Sequence, residues 1–202
     1  MQALARAYGF TITDDVIFSP TSTSFAAELA RVRNSNAQAL WMWTVTPAGN
    51  TIVKEFRQLQ LPQRLVLTGG NLSSQFLEGT CPDVNGALVN SFLGVVWDQL
   101  PKGNPVRAQG QILRRVIGRQ PSVFHVDTAT SLWALKAAME RGGFTRDAIN
   151  TALETKLRGL PTPGGRIYFG PRNHSGVQMD SMWAGRIVQC KPRALFGKAF
   201  QK

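Results

Sequence analysis

Apolar and polar positions along this chain predict an alternation of strands and helices. Ala3–Tyr8 reads as the end of a helix that Gly9 stops. Phe10–Phe18, carrying Ile12, Val16, Ile17 and Phe18, reads as a strand. After the polar loop Ser19–Ser24, Ser24 caps a helix with Phe25, Leu29 and Val32 on one side, and Asn34-Ser35-Asn36 ends it. Leu40–Gly49 opens as an apolar run of large side chains and turns polar at Thr44. Thr46-Pro47 then makes a helix start, because proline at the first helical position loses no hydrogen bond. Ala48–Gln60 places Ile52, Phe56 and Leu59 on one helical face.

Arg64–Thr68 is a short strand ending in the flexible loop Gly69-Gly70-Asn71, and Gln75–Gly79 is a short helical piece. Gly86–Val96 is a further extended run. This order, strand–helix–strand–helix–strand, is the mark of parallel βαβ units and predicts an α/β fold. In such sheets ligands bind beyond the carboxyl ends of the strands. The loop at Thr44–Thr46 lies at such an edge and is a candidate site, and Gly69-Gly70-Asn71 is a second strand end with a polar loop.

Past Asp98–Pro105, a loop or crossover rich in proline, the pattern becomes helical. Helices are predicted over Val106–Ile117 and Val126–Arg141, the second ended by Gly142-Gly143. A third is capped by Thr145 and buries Ile149, Leu153 and Leu157. Gly159–Gly165 reads as a hinge-like loop. Arg166–Phe169 and Met182–Val188 read as closing strands around the turn Gly170–Gly176.

Composition narrows the class. With 43% hydrophobic and 17% charged residues over 202 positions, the chain is that of a folded protein with a real core. No apolar run approaches the roughly 20 residues that a membrane span needs, and the N-terminal residues do not carry a secretory signal pattern. The net charge of +11 raises nucleic acid as a partner, but the basic residues are spread along the chain. Their tightest groups are Arg114-Arg115 with Arg119, and the tail Lys191, Arg193, Lys198 and Lys202. Without an accompanying recognition motif they predict no nucleic-acid binding. Cys81 and Cys190 form no CxxC, and their spacing gives no support to a disulfide, so two unpaired thiols are expected.

Candidate chemistry is sparse. His125 and Asp127 have no nucleophile placed to complete a catalytic set, and His125 reads as a structural residue at a helix start. His174 lies in the turn Asn173-His174-Ser175-Gly176. Neither metal spacing nor a phosphate-binding glycine motif occurs. Two glycosylation sequons, at Asn71 and Asn173, are the kind that arise by chance. No enzyme activity and no cofactor are expected.

Four local patterns together resemble one known family. They are Thr21–Arg33 followed by Ala37–Trp41; Thr46-Pro-Ala-Gly49 through Gln58–Pro62 to Leu67-Thr-Gly-Gly70; the helix Thr128–Gly143; and Thr162–Phe169 leading to Arg172–Gly176. In this order and spacing the chain resembles the type 1 periplasmic substrate-binding proteins, the leucine/isoleucine/valine-binding family that feeds ABC importers. Members have two α/β lobes joined by a hinge, with the ligand between them.

The resemblance implies an incomplete copy, matching the last half to three-fifths of a member. Residues 1–85 would belong to the second lobe. Residues 86–160 would cross the hinge and supply later helices of the first lobe, and residues 161–202 would hold the closing strands and basic tail. Thr44, Val45, Thr46, Asn71 and Leu72 would contact the ligand. Amino-acid-binding members often carry an acid near Asn71, and no acid lies in Gly69–Gln75 here. A zwitterionic amino acid is therefore less expected than an aromatic acid, short acyl acid or amide. Ala129-Thr130 likewise stands where the family usually has Tyr-Asp. The implied role is the small-molecule-binding component of a periplasmic uptake system, with a membrane permease of an ABC importer as partner. With one wall of the cleft absent, ligand binding by this chain alone should be weak, and apolar surface should be exposed. The alternatives are an α/β enzyme whose catalytic residues lie outside these residues, or a sensor domain of the same fold.

Overall fold

The computed structural model describes residues 2–19 and 21–195. Phe196–Lys202, with the tail lysines Lys198 and Lys202, lie outside the described residues. The fold is α/β. Its main sheet has five strands: β1 (Ala39–Met42), β2 (Arg64–Leu67), β3 (Leu88–Phe92), β6 (Met182–Val188) and β7 (Lys191–Ala194). The first three run parallel, and β6 and β7 join as an antiparallel hairpin beside β3. The crossovers are helical, as parallel pairing requires. Helix α3 (Ala48–Gln58) follows β1, and α4 (Ser74–Thr80) follows β2.

One face of the sheet is packed and drives the fold. Met42, Leu65, Leu67, Val89 and Ile187 point into a core with Ile52, Val53 and Phe56 of α3 and Phe76 of α4. Phe56 and Phe76 are fully buried. Removing either ring is expected to cost about 3–5 kcal/mol. The opposite face carries Trp41, Ala184, Arg186 and Val188, all exposed.

Between β3 and β6 the chain leaves the sheet and builds a second body. Helices α5 (Pro105–Ile117), α6 (Val123–Gly142) and α7 (Arg146–Lys156) precede the small hairpin β4 (Leu160–Thr162) and β5 (Gly165–Ile167). A separate cluster of Ala134, Ala137, Ala138, Ala152, Leu157 and Ile167 holds this body together. The crossing at the end of β3 is tight: a Cβ at Gly94 would collide with the Pro163 carbonyl oxygen. Helix α6 keeps an uncovered side, where Phe124, Leu132 and Leu135 are exposed.

Several expectations need correction. Phe10–Phe18 has no regular secondary structure and pairs with no strand among the described residues. Apolar alternation records exposure, whereas a strand also needs a hydrogen-bonding neighbour. That segment is tied to α2 (Ala26–Asn34) instead, by a bidentate Arg31–Asp14 pair at 2.9 and 3.0 Å and an edge-on Phe18–Phe25 contact. The helix α3 starts at Ala48 with Pro47 at its cap position, without a side-chain capping bond, after a cis Thr46-Pro47 peptide. The run to Val96 stops being a strand at Phe92 and coils into a 3-10 turn, Leu93–Gln99. Gly159–Gly165 is largely the β4–β5 hairpin, and β7 is a strand with no expectation behind it. Helix α6 starts three residues early because Ser122 and His125 form a reciprocal cap. The Ser122 hydroxyl and His125 Nδ1 are 2.7 Å apart, which makes His125 a capping residue.

The cysteines are paired. Cys81 and Cys190 form a disulfide across 109 residues, with Cα atoms 5.7 Å apart. Asn85 reinforces it, its Oδ1 accepting from the Cys190 amide at 2.8 Å. Arg57 holds the same loop by donating to the carbonyls of Asp83 (2.6 Å) and Asn85 (2.7 Å). Sequence distance hid this pairing, because it depends on the β6–β7 turn folding back beside the loop after α4.

Candidate ligand site at the carboxyl edge of the sheet

The parallel strands β1, β2 and β3 all end on one edge. There β1 runs into Thr44–Thr46, β2 into Thr68–Leu72 and β3 into Leu93. The first two loops touch. Asn71, fully buried, donates from Nδ2 to the Thr44 carbonyl at 2.8 Å. Its Oδ1 accepts from the Thr68 amide and hydroxyl, each at 3.2 Å. A Cβ at Gly70 would stand 3.0 Å from Val45 Cγ1, so glycine lets the second loop lie against the first.

The residues expected at the site therefore meet, with different exposures. Val45 is exposed, and Thr44 and Thr46 are half-buried. Leu72 is a core residue, and the Asn71 amide is committed to joining the loops. Neither of those two side chains is free to face a ligand. Trp41 and Trp43 stand beside the first loop with ring centroids 6.2 Å apart and planes tilted by 30°. Trp43 is 73% exposed, which is rare for an indole without a partner.

Other groups at this edge carried no sequence signal. The Ser91 hydroxyl on β3 is buried beside Gly69 and has no hydrogen-bond partner. A cavity of about 250 Å³ is lined by Phe92, by Asp127, Thr130 and Ser131 of α6, and by Gly164–Ile167, Ser175 and Ser181. Thr130 Oγ1 accepts from the Gly164 amide at 2.8 Å. Burial raises the Asp127 carboxyl above its ordinary value of 3.8. Helix α6 also packs against the turn Gly69–Leu72. A larger concavity of about 790 Å³ is lined by Arg158, Tyr168 and Arg172, and neither cavity includes a residue of the two loops.

Among the described residues no group of three or more His, Cys, Asp or Glu could hold a metal ion, and no helix is long and apolar enough to cross a membrane. His174 meets Glu154 at 3.1 Å on the surface.

Comparison with known proteins agrees with this geometry. No curated protein is matched by the sequence. Solved structures share the fold at low identity. An extracellular ligand-binding receptor from Rhodopseudomonas palustris HaA2 superposes with a TM-score of 0.88 at 17% identity, over 96% of this chain and 58% of its own. The leucine-binding protein LivK of Thermotoga maritima gives 0.76 at 18%, over 91% and 51%. A solute-binding protein of an ABC transporter from Rhodopseudomonas palustris HaA2, in complex with p-hydroxybenzoic acid, gives 0.72 at 16%, over 96% and 54%. The chain thus spans less than three-fifths of the length of these relatives. The fold is that of the type 1 periplasmic binding proteins, as the four sequence patterns implied. A family model described as periplasmic binding protein matches residues 1–191, and the chain belongs to that family.

Proposed function

We propose that this chain supplies one wall of the ligand site of a binding protein serving an ABC-type importer in the periplasm. Its ligand is a small organic acid. Thr44, Val45 and Thr46 present a hydroxyl and backbone amides to the acid group, while Asn71 and Leu72 fix the second loop against the first. A membrane permease is the partner, by family resemblance. Closure of two lobes about the ligand would trap it, since contacts from both sides favour the closed arrangement.

The observation that carries the reading is the Asn71–Thr44 bond, which locks two βα loops together at the edge where α/β sheets bind ligands. The exposed pair Trp41 and Trp43 beside those loops suits an aromatic acid, as do the benzoate and p-hydroxybenzoic acid complexes among the structural neighbours. The test is tryptophan fluorescence of the protein titrated with benzoate, 4-hydroxybenzoate and leucine to tens of millimolar. A saturable change with either aromatic acid, reduced in Trp43→Phe, supports the reading. A flat response to all three, in protein with a cooperative unfolding transition, overturns it.

A further inference from the structure

We propose that Asp127 is the hydrogen-bond acceptor through which this site selects ligands carrying a hydroxyl or ammonium donor away from their acid group. The inference rests on the ligand site proposed above and names the ligand class it takes. Asp127, Thr130 and Ser131 fall at i, i+3 and i+4, so they share one face of α6, and that face lines the cavity of about 250 Å³. Its lining includes Phe92, the last residue of β3, at the carboxyl edge of the sheet.

Most polar groups around it are already engaged. Thr130 Oγ1 accepts from Gly164, and the Ser181 hydroxyl donates to the Arg166 carbonyl at 2.8 Å. The Arg166 guanidinium is turned to the Gly159 carbonyl at 2.9 Å. The Asp127 carboxylate has neither a hydrogen bond nor an ion pair among the described residues. It is the fifth residue of α6, past the first turn, so no helix-end amide satisfies it. A half-buried carboxylate left without donors is costly, and burial has already raised its proton affinity.

An ionised carboxylate accepts and never donates, so its complement is an O–H or N–H group. The cavity is the size of an aryl or amino-acid-sized fragment, just under the range of drug-sized pockets. The loop Gly69–Gln75 carries no acid, which leaves Asp127 as the acid lining this cavity at the sheet edge.

Benzoate and 4-hydroxybenzoate differ by one hydroxyl and separate the possibilities. Their affinities are compared by ligand-observed NMR for the full chain, for Asp127→Ala and for Asp127→Asn. A hydrogen bond to a charged acceptor gives at least about a tenfold preference for 4-hydroxybenzoate in the unmodified protein. That preference should fall to near unity in Asp127→Ala and drop in Asp127→Asn, each read as the ratio of the two affinities within one variant. Equal affinities in the unmodified protein, or a preference that survives Asp127→Ala, overturn the role of Asp127 while leaving the ligand site standing. Absence of binding by both acids overturns the two proposals together.

Discussion

Asn71 Nδ2 donates to the Thr44 carbonyl at 2.8 Å, a bond between the ends of two neighbouring parallel strands. Its partner bonds to Thr68 make Asn71 a three-way buried strut. Replacing it with alanine leaves the half-buried Thr44 carbonyl and Thr68 amide without this partner. Asn71→Ala is expected to cost about 2–3 kcal/mol in urea unfolding. A loss under about 0.5 kcal/mol would show that the loops are not held by this side chain.

The disulfide gives a second expectation. Closing a loop of 109 residues restricts the unfolded chain, an effect of about 4–5 kcal/mol in the chain-entropy treatment. Protein prepared without reductant should contain no free thiol by alkylation and mass measurement. Reduction, or Cys81→Ser with Cys190→Ser, should lower the melting temperature by several degrees. Free thiols at both positions in oxidised protein would contradict the pairing. The bond also suits an oxidising compartment, in keeping with the proposed periplasmic location.

Gly94 supplies a third. Any Cβ there meets the Pro163 carbonyl oxygen and Val126, at the point where the chain leaves the main sheet. Gly94→Ala should destabilise by about 3 kcal/mol through overpacking, whereas Gly103→Ala, in open space, should change little. Equal stabilities for the two variants would contradict the close approach at this crossing.

Asp127 predicts a pH dependence of defined sign. Its carboxyl binds a proton more tightly in the folded chain than at its ordinary value of 3.8. The folded state therefore carries no penalty from this group below 3.8, and loses stability as pH rises from there through the raised value. Asp127→Asn removes the titration. Its unfolding midpoint should gain on the unmodified protein between pH 3 and pH 7, and a gap that is flat or shrinks with pH would contradict the burial.

Much of the main sheet could be read from pattern alone, because β1, β2 and the helix between them carry strong, local periodicities. The meeting of Thr44, Val45 and Asn71 followed from strand order, since parallel neighbours must end on one edge. What the pattern could not give was pairing over distance. Phe10–Phe18 has strand-like alternation but no neighbour, and Cys81 and Cys190 sit in turns brought together only by the return of β6. The Gln189-Cys190 turn takes left-handed angles on two residues that do not advertise them, with φ of 49° and 60°. Asp127 was visible as a carboxylate near His125, yet its isolation in a cavity depends on Gly164 and Ser181 arriving from beyond α7.

The most direct test of the proposed site is an amide chemical-shift titration of isotope-labelled protein with 4-hydroxybenzoate. Shifts confined to Thr44–Thr46, Gly69–Leu72 and the first turns of α6 are the expected result. Shifts centred on Arg158, Tyr168 and Arg172, with the loops after β1 and β2 unmoved, would contradict it.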